Sequence, residues 1–325
     1  MNCIYEIWDD TTSYDKNILG NKGYHLMNMF QNGITVPLAI VIPTTICRDY
    51  YGLGKKLSLE YKEMIKKKCK ELEKVTGKEF GNAKKALLVS IRSGAAVSMP
   101  GMLDTILNVG ITKDMVLKTQ EKYLLRAYIT FLNDYVKGVY GIQLKERGDD
   151  FPDKSVDEYK EIISKKLELF QQTTGEQLDD SIEAVIENAV CSIFNSWEKP
   201  EAQMYRKNKN ISDDLYTAVV IEEMIFGNRN EMSGSGVLFT KNPITGADEL
   251  YGEYIVNGQG VEVVNGVADT RPIEQMKSEL NEVYEQLKNE VSKIKTLYAD
   301  PQDIEFTFEN GKLFILQTRN ACIRK

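Results

Sequence analysis

Hydrophobic positions divide the chain into three stretches with different periodicities. In the first hundred residues, apolar β-branched runs bounded by proline or glycine, at residues 36–44 and 86–94, predict buried strands. Between residues 113 and 198, apolar residues recur every three or four positions, which is typical of amphipathic helices. Strand-like runs return after residue 214 and end in residues 303–319. The pattern predicts an α/β (α+β) protein with mainly antiparallel sheet in its last third and an all-helical insert.

Three further elements follow from the local pattern. The charged amphipathic segment 57–77 predicts a helix that ends at Gly77, and residues 273–298 predict a long helix before the closing hairpin. Residues 233–236 are Ser-Gly-Ser-Gly, which predicts a small-residue loop leading into a strand. Glycine loops of this kind can approach phosphates, and they also occur as plain hairpin loops.

Polar residues alternate with apolar ones in the closing hairpin. Asp303 and Glu305 lie two apart in its first strand, and Gln317 and Arg319 lie two apart in its second. Carboxylate and amide oxygens on one rigid face suit a hard cation such as Mg²⁺, and a neighbouring arginine could bind a phosphate. An alternating strand is equally typical of a solvated sheet face, so the pattern alone leaves both interpretations open.

The register of this hairpin decides which side chains meet. A two-residue turn at Asn310–Gly311 would point Gln317 away from Glu305. A three-residue loop, residues 309–311, with a left-handed glycine in a bulge restores the parity, and we predict this register. It places Asp303 opposite Gln317 and Glu305 opposite Ile315, and it gathers five apolar residues on the other face: Ile304, Phe306, Phe308, Phe314 and Leu316.

Charge and cysteine content narrow the class of protein. The chain of 325 residues carries a formal net charge of −7, which disfavours nonspecific binding to nucleic acid or to an anionic membrane. Its five cysteines are scattered and lack a CxxC pair, which argues against a disulfide framework or a thiolate metal site. The N-terminal residues do not resemble a signal peptide, and no apolar stretch approaches the length of a membrane span. We therefore expect a cytoplasmic protein.

Two cationic residues have sequence surroundings that suit a phosphate. Lys22 lies in a glycine-flanked turn before an apolar helical run, where backbone amides can hold phosphate oxygens. Arg92 leaves a predicted buried strand into a small-residue loop, where a charged side chain needs an anion. A structural carboxylate would satisfy Arg92 equally well, and Lys22 could be an ordinary surface lysine. The strand at residues 218–224 could offer backbone groups to a purine.

Six stretches spread along the whole chain carry a family resemblance: LGNKGYHLMNM, LLVSIRSGAAVSMPGMLDTILNVG, TAVVIEEMIFGN, SGSGVLFTKNPITG, LYGEYIVNGQG and QDIEFTFENGKLFILQTRN. Together they resemble the N-terminal nucleotide-binding domain of pyruvate phosphate dikinase, which is kin to phosphoenolpyruvate synthase and has an ATP-grasp fold. The resemblance implies ATP and Mg²⁺ as ligands between two ATP-grasp lobes. It implies a first lobe at residues 1–112 with 199–232, a helical subdomain at 113–198, and a second lobe with the metal-binding hairpin at 233–325.

The resemblance also implies roles for residues at matching positions. Lys22 and Arg92 match the family's phosphate-binding pair, and Arg319 matches another phosphate contact. Glu305 and Gln317 match its metal ligands. Asp303 matches an acid beside these ligands. The catalytic residues that the resemblance implies are Lys22, Arg92, Arg319 and Asp303. Nucleotide contacts are further implied for an adenine-side linker and a glycine loop over the phosphates: Glu222, Glu223 and Met224, and Gly234, Ser235 and Gly236.

The sequence departs from the family pattern in three ways. Val261 occupies the position of a family glutamate, with an acid only at the next position, Glu262, and Asn21 replaces a glycine. We further expect this chain to lack the family's swivelling domain, whose histidine takes the β- and γ-phosphates of ATP, and its pyruvate-binding barrel. The one histidine, His25, lies among apolar residues and is expected to be packed or on a helix surface.

These observations support two interpretations. In the first, the protein is an ATP-dependent phosphotransferase (kinase) module that passes phosphate to a histidine on a separate protein or to a small-molecule acceptor. In the second, it is a catalytically impaired nucleotide-binding regulatory module, which Val261 favours, whereas the retained charged residues favour the enzyme. Neither interpretation involves a nucleic acid or a membrane. The sequence leaves open whether the chain stands alone or belongs to a longer enzyme.

Overall fold

The structure, a computed structural model, describes residues 3–9, 15–144, 154–260 and 270–322. It divides into two compact units. The first comprises Met1–Tyr24 and Leu38–Met224, and the second comprises His25–Pro37 and Ile225–Lys325. The described part of each unit contains one five-stranded sheet, and all neighbouring strands in the two sheets are antiparallel. The α/β class predicted from the sequence is confirmed.

The sheet of the first unit is built around a central strand that is buried along its whole length. In pairing order, its strands are β1 (Tyr5–Glu6), β2 (Ala39–Ile42), β5 (Thr217–Glu223), β3 (Val89–Ala95) and β4 (Thr105–Val109). Every residue of β5 is buried, as expected for an apolar strand with neighbours on both sides. Its charged residues are at its end, where Glu222 and Glu223 are buried acids that need partners.

Helices of this unit separate strands of this sheet along the chain. They are α1 (Lys16–Gln31), of which residues 16–24 belong to this unit, α2 (Thr44–Gly52), α3 (Leu59–Thr76), α4 (Lys113–Lys118), α5 (Lys122–Tyr140), α6 (Val156–Thr174), α7 (Ile182–Ser196) and α8 (Pro200–Lys209). The predicted helix at 57–77 is confirmed as α3. Ser58 accepts the N–H of Tyr61 at its start, and Gly77 adopts a left-handed conformation at its end.

In its described residues, 113–144 and 154–198, the predicted helical stretch is confirmed, and it lies in the same compact unit as the first sheet. Helix α5 contacts β4, and α7 contacts β3, β4 and β5. Residues 25–37, in turn, group with residues 225–325. The division into two lobes and a separate helical subdomain stays a prediction.

The second unit pairs its sheet with one long helix. In pairing order, its strands are β10 (Lys312–Asn320), β9 (Gln302–Glu309), β6 (Gly234–Phe239), β7 (Tyr251–Val256) and β8 (Arg271–Pro272). Helix α9 (Met276–Glu279) precedes α10 (Asn281–Leu297), which contacts β9 and β10. Its buried residues recur every three or four positions, so one apolar face packs on the sheet: Val283, Leu287, Val291 and Ile294.

The prediction of one continuous helix over residues 273–298 is wrong. A 3₁₀ turn at Ile273–Gln275 leads into α9, and the chain leaves helical geometry at Leu280 (φ −139°, ψ 53°) before α10 begins. Glu279, just before the break, accepts hydrogen bonds from the Tyr254 hydroxyl (2.7 Å) and Arg271 (2.6 Å). These contacts with β7 and β8 tie the end of α9 to the sheet, which the local helical pattern could not reveal.

The predicted three-residue hairpin loop is also wrong. Glu309 pairs with Lys312, so the turn is the two-residue Asn310–Gly311, and both residues have positive φ (51° and 79°). Such a turn matches the twist of the flanking strands, which is why Asn-Gly favours it. The predicted partners are therefore incorrect: neither Asp303 with Gln317 nor Glu305 with Ile315 forms a pair.

A bulge farther along β10 nevertheless brings the polar residues together. The register shifts between Ile315 and Gln317, so that Glu305 lies opposite Gln317 and Asp303 lies opposite Arg319. The Ile315 N–H donates to the carbonyl of Thr35 (2.8 Å), a contact with a segment far away in sequence. The apolar face also differs from the prediction, because Leu313 and Ile315 replace Phe314 and Leu316 beside three residues of β9: Ile304, Phe306 and Phe308.

The predicted glycine loop is a strand. Gly234, Ser235 and Gly236 open β6, which is paired on one side with β7 and on the other with β9. A Cβ atom at Gly234 would lie 2.3 Å from the ring of Phe308, and one at Gly236 would lie 2.4 Å from the ring of Phe306. The glycines make room for aromatic rings that cross the strand, so packing explains the small residues here.

Two further observations concern the helices and the cysteines. Within the described ranges, none of the helices combines the length and the apolar character that crossing a membrane requires. The five cysteines carry free thiols, and two of them, Cys47 and Cys69, are buried.

Candidate functional site

Lys22 follows a kink in α1 that only glycine can form. Gly20 has φ 68° and ψ 171°, outside helical geometry, and a Cβ atom there would lie 1.4 Å from the carbonyl oxygen of Gly94. The two backbones touch at this point, which places the chain before Lys22 against the end of β3. The sequence predicted Lys22 in the turn itself, whereas the structure places it on the helix just after the kink.

A buried carboxylate joins the two cations that the sequence singled out. Glu222 of β5 lies opposite Ser90 of β3, and Arg92, two residues farther along β3, lies opposite Val220. Because positions two apart share a face of a sheet, Glu222 and Arg92 lie on the same side. The Lys22 Nζ is 2.9 and 3.2 Å from the two oxygens of Glu222, and Arg92 Nη1 is 3.9 Å from one of them.

Burial differs strongly within this group. Glu222 is 4% exposed, whereas the side chains of Lys22 and Arg92 are 16% and 38% exposed. A buried carboxylate is costly unless it is paired, so the two cations compensate for its loss of water. The structural carboxylate that the sequence allowed for Arg92 is present. A role of Lys22 and Arg92 in phosphate binding stays a prediction.

Glu223 and Met224 have their backbone N–H groups occupied. The N–H of Glu223 donates to the carbonyl of Leu38, and that of Met224 donates to the carbonyl of Leu88, both at 2.8 Å. The Glu223 side chain, on the other face of the sheet from Glu222, lies 2.9 Å from Lys78 Nζ. A purine at this linker would have to use groups other than these two amides. Its contact with Glu222, Glu223 and Met224 stays a prediction.

The hairpin of β9 and β10 gathers four polar side chains on one face. Glu305 lies opposite Gln317, and the next pair on that face is Asp303 with Arg319. Arg319 donates a hydrogen bond to Glu305 across the strands. This ion pair is open to solvent, because the side chains of Glu305 and Arg319 are 33% and 58% exposed. The structure thus brings together all four hairpin residues that the sequence predicted.

Asp303 has a distinct electrostatic environment within this set. Burial raises the pKa of its carboxyl above the ordinary value of 3.8, because the charged form loses water. The positive charge of Arg319 opposes this effect, and the negative charge of Glu305 adds to it. Asp303 is therefore a less readily ionised acid beside an exposed ion pair.

The oxygen set on the hairpin fits Mg²⁺ better than it fits a softer metal. Glu305, Gln317 and Asp303 offer carboxylate and amide oxygens from one rigid sheet, and Mg²⁺ typically takes one or two such groups and completes its shell with water and phosphate. Among the described residues, no group of three or more histidine, cysteine, aspartate or glutamate side chains could hold a metal ion. Glu305, Gln317 and Asp303 offer the kind of oxygen ligands that a magnesium ion shared with a phosphate would use.

Sequence reasoning missed two features of these faces. It treated Glu222 as part of a purine linker, although the alternation of residues along β5 places its side chain toward Arg92. It also missed Glu253 of β7, which shares a cross-strand row with Glu305, since both lie opposite Val237 of β6. Parity along the strands could have indicated both once the pairing order was known. Val261 and Glu262, in contrast, lie outside the described residues.

Comparison with known proteins gives consistent matches. Residues 53–283 and 268–325 match the family described as pyruvate phosphate dikinase, AMP/ATP-binding domain. Pyruvate, phosphate dikinase of Clostridium symbiosum is 37% identical over 336 residues, covering 98% of this chain and 38% of that protein. The chloroplastic enzyme of Mesembryanthemum crystallinum is 36% identical over 322 residues, covering 94% of this chain and 34% of that protein. For the Rickettsia conorii enzyme the identity is 37% over 328 residues, with coverages of 94% and 37%.

Proposed function

Because this chain belongs to the family of the pyruvate phosphate dikinase AMP/ATP-binding domain, we propose that it binds ATP with Mg²⁺ and transfers phosphate to an acceptor. The acceptor is a histidine on a separate protein or a small molecule. The chain spans between 34% and 38% of the length of the relatives named above. The proposal is therefore limited to the nucleotide-dependent part of their chemistry.

The observation that carries the proposal is the pairing of Glu305 with Gln317. A carboxylate and an amide oxygen lie directly opposite each other on two strands that are tied into a five-stranded sheet. Side chains on such a sheet keep their spacing, which favours a metal that demands regular geometry. Arg319 on the same face supplies a donor for phosphate oxygens once it leaves Glu305.

The cations of the first unit supply the second part of the proposal. Lys22 and Arg92 would neutralise charge on the phosphates and hold them in place, and positioning with charge neutralisation accounts for most of phosphoryl-transfer catalysis. In the transfer step, a lone pair of the acceptor forms a bond to phosphorus while the bond from phosphorus to a bridging oxygen breaks. The leaving oxygen keeps the electron pair, and the acceptor loses its proton to solvent.

Magnesium has a limited part in this proposal. Glu305 and Gln317 would hold it, and bound Mg²⁺ would neutralise negative charge on the phosphates. Asp303, with its raised pKa, lies beside these ligands and would orient water or phosphate on the same face.

The surroundings of His25 favour a phosphate acceptor other than this histidine. His25 is partly buried in α1, and its Nδ1 lies 3.5 Å from the hydroxyl of Tyr298. The two rings are tilted against each other with centroids 6.4 Å apart. A packed histidine of this kind is poorly placed to attack phosphorus.

A second candidate function is an impaired nucleotide-binding regulatory module. The observation that favours it is Val261, a residue without a charge or a metal ligand at the position of a family glutamate. This candidate predicts ATP binding without turnover. If the protein is an enzyme, we expect it to cleave labelled ATP in the presence of an acceptor. This one measurement therefore distinguishes the two candidate functions.

Calorimetric titration of ATP with and without Mg²⁺ tests the proposal. We expect binding by the wild type to strengthen with Mg²⁺, and Gln317→Ala to lose most of that strengthening because the ion loses an oxygen ligand. Gln203→Ala, at an exposed position of α8, is the control and should match the wild type. Absence of ATP binding by the wild type at millimolar concentration would contradict the proposal.

A further inference from the structure

We infer that the side chain of Glu222 is a positioning residue that holds Lys22 and Arg92 in the ligand-free protein and lowers their affinity for phosphate. The inference deepens the proposed function and rests on it, since it concerns how strongly the same cations bind a phosphate chain. It gives Glu222 a role different from the purine contact that the sequence implied.

The geometry places a carboxylate of the protein itself against both cations. Both oxygens of Glu222 lie within hydrogen-bonding distance of Lys22 Nζ, at 2.9 and 3.2 Å. Arg92 Nη1 is 3.9 Å away. Within the described ranges, these two cations are the partners of the Glu222 side chain, which is almost fully buried. Water therefore cannot take over the role of either cation.

The charges predict the direction of the effect. The Glu222 carboxylate cancels part of the positive charge that Lys22 and Arg92 present to a ligand. A phosphate that reaches Lys22 and Arg92 also comes close to Glu222, because the carboxylate lies against both of them. Repulsion between like charges is strong at such distances where water is excluded. Glu222 thus weakens phosphate binding by a factor that grows with the negative charge of the ligand.

Glu290 in α10 is a matched carboxylate with a different task. It is as buried as Glu222 and pairs with Lys293 at 2.8 Å. Its oxygens also accept the N–H of Thr35 at 3.0 Å and the hydroxyl of the same residue at 3.2 Å. Because Glu290 fixes backbone in the second unit and contacts neither Lys22 nor Arg92, it controls for the loss of a buried carboxylate as such.

Titration with inorganic anions tests the inference. Wild type, Glu222→Gln and Glu290→Gln are titrated in a calorimeter with phosphate, pyrophosphate and tripolyphosphate, without Mg²⁺ and at constant ionic strength. We expect Glu222→Gln to bind tripolyphosphate on the order of tenfold more tightly than the wild type, with smaller gains for pyrophosphate and phosphate. Glu290→Gln should match the wild type. Equal or weaker binding of tripolyphosphate by Glu222→Gln overturns the inference. A gain in affinity that is the same for phosphate, pyrophosphate and tripolyphosphate also overturns it.

A second pair of variants tests the inference if the single variant Glu222→Gln does not fold. Lys22→Met should weaken tripolyphosphate binding, and adding Glu222→Gln to it should restore on the order of tenfold, because the repelling charge is removed. No restoration would contradict the inference. Inorganic polyphosphate lacks the nucleoside, so failure of the wild type to bind ATP would count against the proposed function and leave this comparison intact.

Discussion

In the first unit, Lys22 and Arg92 meet a carboxylate that is almost fully buried, whereas in the second unit Arg319 meets Glu305 at an exposed sheet face. Both groups contain carboxylates and cations, but their energetics differ. The buried Glu222 carboxylate needs the cations beside it, whereas the exposed pair of Arg319 and Glu305 exchanges its partners with water at little cost. The first group is therefore pre-organised, and the second can release Arg319 and Glu305 to other ligands.

The contrast fits the proposal that the two groups bind different components of a nucleotide complex. A fixed cluster of cations is suited to a phosphate chain, whose charge does not depend on a precise coordination shell. An exposed pair of oxygen ligands is suited to Mg²⁺, which keeps several water molecules and so needs solvent access. Variants at Gly20, Glu222, Glu305 and Asp303 break or sharpen this comparison.

The largest expected effect is at Gly20, which forms the kink just before the helical turn that carries Lys22. Gly20→Ala places a methyl group on the Gly94 carbonyl in a left-handed backbone conformation, so we expect the free energy of unfolding to fall by more than about 3 kcal/mol. Urea denaturation measures this loss. Gly141→Ala, at a left-handed position with open space around it, should cost about 1 kcal/mol. Equal losses in the two variants would show that the contact with Gly94 is unimportant.

The next effect compares the two carboxylates directly. Glu222→Gln should lower the free energy of unfolding of the ligand-free protein by about 2 kcal/mol, because two partly buried cations lose their counter-charge. Glu305→Gln should lower it by less than about 0.5 kcal/mol, because its ion pair is exposed. Thermal and urea denaturation at low and high salt measure the loss of unfolding free energy in both variants. Similar losses would remove the distinction between a buried and an exposed group.

The smallest effect concerns Asp303 and depends on pH. Its pKa is raised in the folded protein, so the folded state binds a proton more readily than the unfolded state. The contribution of Asp303 to stability is therefore fully present below the ordinary pKa of 3.8 and is lost as the pH rises through the folded value. We expect Asp303→Asn to raise the melting temperature slightly at pH 7 and to lose this advantage below pH 4. An advantage that grows as the pH falls would contradict the direction of the shift.

The sequence predicted the elements and the family better than it predicted their pairing. Apolar runs bounded by turn residues located the strands, and the resemblance agrees with the ATP-grasp type of fold and with the family match. The hairpin shows where local reasoning fails. Asn310–Gly311 forms the short turn that its left-handed preference favours, and the parity is restored by a bulge near Leu316. That bulge accompanies a hydrogen bond to Thr35, which no local pattern can indicate.

The candidate site shows the same limit. Three residues were identifiable from the sequence for different reasons: Arg92 as a charge at the end of an apolar strand, Lys22 in a glycine-flanked turn, and Glu305 in an alternating strand. The identity of the partner was not, since Glu222 is separated from Lys22 by most of the chain. Glycines were also ambiguous: Gly20 permits a close backbone approach, whereas Gly236 makes room for the ring of Phe306. Only the packing distinguishes these two uses.

The most direct test of the central claim compares Arg92→Ala with Glu305→Ala in calorimetric titrations of ATP, each with and without Mg²⁺. The account predicts that Arg92→Ala weakens ATP binding about tenfold or more in both conditions, because a charge-assisted hydrogen bond is lost. It predicts that Glu305→Ala weakens binding only when Mg²⁺ is present. Equal losses for both variants in both conditions would contradict the assignment of phosphate to Lys22 and Arg92 and of the metal to the hairpin.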